Sequence, residues 1–216
     1  MVSLAQQHRE QHATSHGTPA VAGTACTSGT LDNHHRAMLA KLQADVIRIR
    51  SIRSRERRND VKGGLLGEYA DYLSIVMNSG DTSTNTVLVQ CCIWALDAGN
   101  YGLCLKLAEH AISNGMESPD KFTRTLPEIL LEELASQVNH SDQPDHYTPY
   151  LLTLAELTVG QDVTDEIKAK FSKALGKAQY SHNPSAALQA YRHAAHYGAK
   201  VQTIIRKLEQ GVIDHE

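Results

Sequence analysis

Aromatic side chains are scarce in this chain, and cysteine and proline are few. Phe, Trp and Tyr make up 5% of 216 residues, with one Trp and two Phe. Apolar residues still reach 41%, so Ala, Leu and Ile must supply most of the core, which favours helices over sheets. Cys26, Cys91, Cys92 and Cys104 are too few and too irregularly spaced for a disulfide framework or a zinc site. The last three fall in apolar helical pattern and read as small core residues. No apolar run approaches the roughly eighteen residues that a membrane-spanning helix needs. The first residues are dominated by Gln, His, Ser and Thr rather than by an apolar stretch. No secretion signal is expected, and the cytoplasm is the default location. The phosphate-cradling pattern Gly-x4-Gly-Lys-Ser/Thr does not occur, which argues against ATP hydrolysis by this chain.

Against these absences stands a concentration of positive charge. The net charge is −3, yet residues 36–62 carry nine Lys/Arg against Asp45, Glu56 and Asp60, a local balance of +6. Arg48, Arg50, Arg53, Arg55, Arg57, Arg58 and Lys62 place seven positive charges within fifteen residues. Like charges at this spacing repel one another unless an anion answers them. Duplex DNA does so by releasing counterions at each contacted phosphate, and Arg can also read guanine edges in the major groove. The alternative is a solvated charged face; the contrast with the acidic remainder favours a polyanion partner.

Hydrophobic periodicity predicts helices throughout and no strand. Residues 1–32 hold almost no large apolar side chains and are expected to form a disordered arm, with a short helix around 4–12. A long basic helix is expected over 33–58, opened by Asp32 or Asn33 and closed by Gly63-Gly64. Leu39, Leu42, Val46 and Ile49 follow a three-four-three spacing on it, a seam for self-association; Ile47 widens the stripe and Ile52 continues it. Packing of the same stripe on its own domain fits barely two heptads as well. Further helices are expected over 65–78, 83–96 (capped by Asp81 or Thr82), 101–114 ending at Gly115, 127–138, 148–157, 164–179, 184–197 and 200–210. Those over 83–96 and 101–114 would form an αα-hairpin. Small residues over 165–197, among them Ala174, Gly176, Ala187 and Ala190, give the last region a tetratricopeptide-like look, without a second repeat. The expected organisation is an arm (1–32), a basic DNA-binding and self-association helix (33–62), a central helical core (63–140) and a C-terminal helical region (141–216).

The order of residues from Cys91 to Glu133 carries more information than any of these patterns. Trp94, Leu96-Asp97, Gly99, Ala108, Ala111, Gly115, Pro119, Arg124-Thr125, Pro127 and Glu132-Glu133 occur in that sequence. It resembles the small ("endonuclease") subunit of the terminase that packages DNA in tailed, temperate phages. The match is strong over about a fifth of the chain and extends in outline over 33–210. The resemblance implies a ring-forming protein in the host cytoplasm. It would recognise the packaging or cohesive-end site on double-stranded viral DNA and present it to a large subunit that hydrolyses ATP and cuts. It also assigns residues 164–210 to assembly or large-subunit docking. Family members often end in a Lys/Arg-rich tail; this chain ends Ile213-Asp214-His215-Glu216, which moves the weight of DNA binding onto the arginines at 48–58.

A catalytic role for this chain itself would need clustered carboxylates holding Mg²⁺. Glu128, Glu132 and Glu133 share one expected helix, with Asp97 and Asp71 elsewhere; exposed acidic pairs at this spacing are common, and neither a catalytic nor a metal site is assigned. His8, His12, His16, His34, His35, His193 and His196 lack Cys or carboxylate partners at ligand spacing, so no cofactor is expected. Trp94 reads as an anchor of the central hairpin. Arg124 reads as a brace of its linker or a contact to DNA or a neighbouring subunit. Two rivals remain open: an endonuclease in its own right, and a helical-hairpin scaffold that binds peptides.

Overall fold

A computed structural model describes residues 25–118 and 124–213. The chain divides into two compact units, Met1–Ala37 and Met38–Glu216. Of the first, the described residues 25–37 are helical throughout. The expected helix over 4–12 and most of the expected arm lie outside the described residues, as do residues 119–123 of the expected linker.

Nine α-helices and no strand are present among the described residues: the fold is all-α. They are α1 (Ala25–Arg50), α2 (Arg55–Asn78), α3 (Thr86–Asp97), α4 (Tyr101–Ser113), α5 (Leu126–His140), α6 (Thr148–Leu157), α7 (Asp165–Gln179), α8 (Pro184–His196) and α9 (Gln202–Ile213). A 3-10 turn, Pro144–Tyr147, precedes α6.

Local chemistry sets these boundaries. Asn85, Asn100 and Asn183 accept from the amides of Leu88, Leu103 and Ala186 at 3.0, 3.2 and 3.1 Å. Each occupies an orphan donor at a helix start. Thr125 and Glu128 form a reciprocal capping box at α5. The α3–α4 hairpin turns through Gly99 at φ 75°, and α4 stops at Gly115 at φ 61°, conformations that a Cβ would strain.

α3 lies at the centre and is apolar nearly all round. Val87, Leu88, Val89, Cys91, Cys92 and Ala95 are fully enclosed. α2, α4 and α5 pack against α3, α6 against α4, and α7 against α5. Trp94 of α3, expected to anchor the central hairpin, is 3% exposed and meets Tyr69 of α2 edge to face at 6.1 Å. A second, smaller cluster joins α8 and α9 through Leu188, Tyr191, Val201, Ile205 and Leu208. α7 and α8 meet so closely that a Cβ on Gly176 would lie 2.9 Å from the Tyr191 ring.

Three boundaries differ from the sequence reading. The basic helix starts earlier, at Ala25, and breaks at residues 51–54 rather than at Gly63-Gly64. Ser51 Oγ donates to the Arg48 carbonyl at 2.7 Å and Ser54 Oγ accepts from the Arg57 amide at 3.3 Å. The two serines thus stop one helix and cap the next. Gly63 and Gly64 lie inside α2, and a Cβ on Gly63 would sit 3.3 Å from Ala98 Cβ. Glycine there allows α2 to approach the α3–α4 turn. α3 is capped by Asn85, not by Asp81 or Thr82. Asp81 instead accepts from the Ser83 amide at 2.9 Å, an Asx turn within the connection.

Candidate nucleic-acid interface

The break at 51–54 folds the basic segment into an elbow. Arg48 and Arg50 occupy the last turn of α1, where a positive charge complements the helix dipole. Arg55, Arg57 and Arg58 occupy the first turn of α2 with only Glu56 to offset them. Positive charge is unfavourable there, because the free amides of a helix start already form its positive end. An anion seated at the elbow would answer both the amides and the guanidinium groups.

The structure separates the seven predicted DNA-binding residues into two sets. Arg48, Arg50, Arg53 and Arg57 are exposed and Arg58 is half-buried, and none of the five forms an ion pair among the described residues. Arg55 is paired with Glu133 on α5. Lys62 is paired with Asp97 at the end of α3, with both side chains largely enclosed. The stripe expected to bear on assembly also has a partner within the chain. Leu42 and Ile49 are 4% and 6% exposed in the main core, with Leu39 and Val46 packed against it. Ile47 of α1 is 70% exposed, the large aliphatic side chain that α1 leaves open among its described side chains.

Beside the elbow is a cleft of about 300 Å³, to which α1 contributes Ile49 and Arg50 and α3 contributes Gln90, Ile93 and Trp94. Arg124 and Ile129 complete it from the start of α5. Arg124 donates to the Glu132 carboxylate on α5 at 2.8 Å rather than to helix-end carbonyls, and it also lines the cleft.

The Phage small terminase subunit family model matches residues 39–166, a span that includes the elbow, the cleft and helices through α6. The chain belongs to this family. It is 31% identical over 144 residues to the protein named "Terminase, endonuclease subunit" of Escherichia phage P2, covering 66% of this chain and 58% of that one. It is 26% identical over 106 residues to the "Probable terminase, endonuclease subunit" of Haemophilus phage HP1 (strain HP1c1), covering 49% and 38%. The chain thus spans between a third and three-fifths of the length of these relatives. No solved structure gives a significant match.

Four of the five carboxylates considered for metal binding, Glu128, Glu132, Glu133 and Asp97, are engaged in hydrogen bonds or ion pairs within the chain. Glu128, 6% exposed, accepts from the Thr125 amide at 2.9 Å and the Thr164 amide at 3.2 Å. It therefore ties the start of α5 to that of α7. Glu132 takes Arg124 and Lys170, Glu133 takes Arg55, and Asp97 takes Lys62. Asp71 is exposed on α2. No three His, Cys, Asp or Glu side chains among the described residues gather as a metal site would require. His193 bonds Ser172 at 2.8 Å and His196 rests edge-on against Tyr197. No described helix is long and apolar enough to cross a membrane.

The sequence reading missed a buried polar group in α1. Asp45, 8% exposed, receives hydrogen bonds from Lys41 at 2.7 Å and from the Tyr69 hydroxyl at 2.6 Å. Burial alone would push the Asp45 carboxyl up, but the hydrogen bonds from Lys41 and Tyr69 and the charges of Lys41 and Arg48 outweigh it and hold the group below its usual range. Burial and the adjoining Asp45 raise Tyr69. Cys91 is pushed up to about 12, first by burial and then by the Asp45 charge, which leaves its thiol inert at neutral pH. The signal was present as an acid at a core-facing position beside Leu42 and Ile49, with Lys41 four residues earlier. It sets the base of the elbow by fixing α1 against α2.

Proposed function

We propose that this chain is the DNA-recognition subunit of a phage packaging terminase, acting in the host cytoplasm. It binds the packaging or cohesive-end site on double-stranded viral DNA and hands that DNA to a large subunit that hydrolyses ATP and cuts. The observation that carries the reading is the arginine elbow: Arg48, Arg50, Arg53, Arg57 and Arg58 crowd one short segment, and none of them forms an ion pair among the described residues, whereas Arg55 and Lys62 beside them do. Family membership supports the packaging context. Copies of the subunit arranged in a ring would multiply the elbows around the DNA and raise avidity without new contacts. The region 164–210 serves assembly or large-subunit docking.

The relatives are named endonuclease subunits. Recognition is favoured over cutting for this chain because Glu128, Glu132, Glu133 and Asp97 hold the fold together through hydrogen bonds and ion pairs. The test is binding of the purified chain to a cohesive-end fragment and to a scrambled duplex, followed in Mg²⁺ with no large subunit. Preference for the phage fragment without cleavage is the expected result. Mg²⁺-dependent cutting that is lost in Glu132→Gln would overturn the assignment in favour of a nuclease.

A further inference from the structure

We propose that the cleft beside the elbow receives a single unpaired base of bound DNA, with adenine preferred. The inference rests on the DNA-binding reading and names what that site recognises. Ile49, Ile93 and Ile129 give the cleft aliphatic walls, with Trp94 alongside. These walls can take the face of a flat, weakly hydrated ring, while Arg50 and Arg124 in the same lining can hold a phosphate. At about 300 Å³ it has the size of a small-ligand site rather than of a peptide groove.

Arg50 and Arg124 supply the charge that an extruded nucleotide needs at its two flanking phosphates. Arg50 has no ion partner among the described residues. Arg124 engages Glu132 through Nη1 and lines the cleft; a guanidinium carries further N–H donors beyond that bond. Arg50 belongs to both the elbow and the cleft, so DNA held at the first lies beside the second. Gln90 then gives the cleft its chemical preference. It is half-buried on α3, and its side-chain amide has no hydrogen bond among the described residues. A carboxamide offers one donor and one acceptor side by side, the pattern that pairs with adenine. An acidic peptide could also satisfy the two arginines and pair its backbone with this amide; the base is favoured because Arg50 places the cleft directly beside the arginine elbow.

Trp94 is the sole Trp of the chain and lines the cleft from the core side, so its emission can be followed without interference from another Trp. The full chain is titrated with a fully paired duplex, the same duplex carrying one unpaired adenine, a version with an unpaired thymine, and a Glu-rich peptide. The expected result is about tenfold tighter binding of the adenine bulge than of the paired duplex. A change in Trp94 emission should accompany the bulge and not the paired DNA. Gln90→Leu should remove the difference between adenine and thymine. Equal affinity for all duplexes with no Trp94 response overturns the inference and leaves DNA binding by the elbow standing. Absence of any duplex binding overturns both. A Trp94 response to the peptide but not to the bulge overturns the base assignment and makes the cleft a protein-docking site. The wild-type titrations decide between these outcomes by themselves, even where Gln90→Leu fails to fold.

Discussion

Lys62 of α2 is bound to Asp97 of α3, and the pair lies where Gly63 brings the two elements together. Lys62 stands in a run of basic residues, yet its side chain is 14% exposed and its charge is answered within the chain. Its loss is therefore a stability event. Lys62→Met should destabilise the fold by roughly 1.5–3 kcal/mol and leave the salt dependence of DNA binding unchanged, as thermal melts and a salt titration would check. A flattened salt slope with an unchanged melting temperature would return Lys62 to the DNA face.

The glycines of α2 and α7 predict opposite responses to alanine. A Cβ on Gly176 meets the Tyr191 ring at 2.9 Å, so Gly176→Ala should cost about 1–3 kcal/mol through overpacking of α7 on α8. Gly64 has nothing within 4 Å and lies within α2, so Gly64→Ala should stabilise by roughly 0.5–1 kcal/mol. Denaturant melts of the two variants side by side settle both signs.

Asp45 makes stability depend on pH. Its carboxyl is held below the ordinary value of 3.8 in the folded chain. The stabilisation is thus fully present above that value and is lost as pH falls through the lower folded value. Asp45→Asn should reduce stability at neutral pH by roughly 1–3 kcal/mol and remove that portion of the acid sensitivity. Wild-type and variant melts from neutral to strongly acidic pH give the measurement.

Glu128 and Lys177 fix the two ends of α5. Lys177 Nζ donates to the carbonyls of Val138, Asn139 and Ser141 at 3.1, 3.0 and 3.1 Å, which satisfies acceptors that a helix end leaves open. Glu128→Ala and Lys177→Met should each destabilise by roughly 1–3 kcal/mol. If Glu128 were instead a metal ligand, added Mg²⁺ would raise the melting temperature of wild type and not of Glu128→Ala.

The sequence made the helices α3 and α4 legible because the turn between them and the stop after them have their own chemical markers: Asn100, Gly99 and Gly115 act within a few residues. The run of α5, with Pro127 in its first turn and a Thr125–Glu128 box, was equally local. The elbow was not legible. Its break depends on two serines in a stretch that reads as a continuing helix, while the Gly63-Gly64 pair that suggested a stop lies inside α2, where Gly63 makes room for Ala98. The division of the basic residues was also hidden. Asp97 and Glu133, which take Lys62 and Arg55, are 35 and 78 residues away along the chain.

The most direct test of the central claim is the salt dependence of DNA affinity for wild type and for the Arg53→Ala, Arg57→Ala, Arg58→Ala triple variant. The account predicts a steep fall of log K with log salt for wild type, and a slope shallower by about two to three for the variant, with its melting temperature preserved because these three arginines form no ion pair among the described residues. An identical slope for the two proteins, or no duplex binding by wild type at low salt, would contradict it.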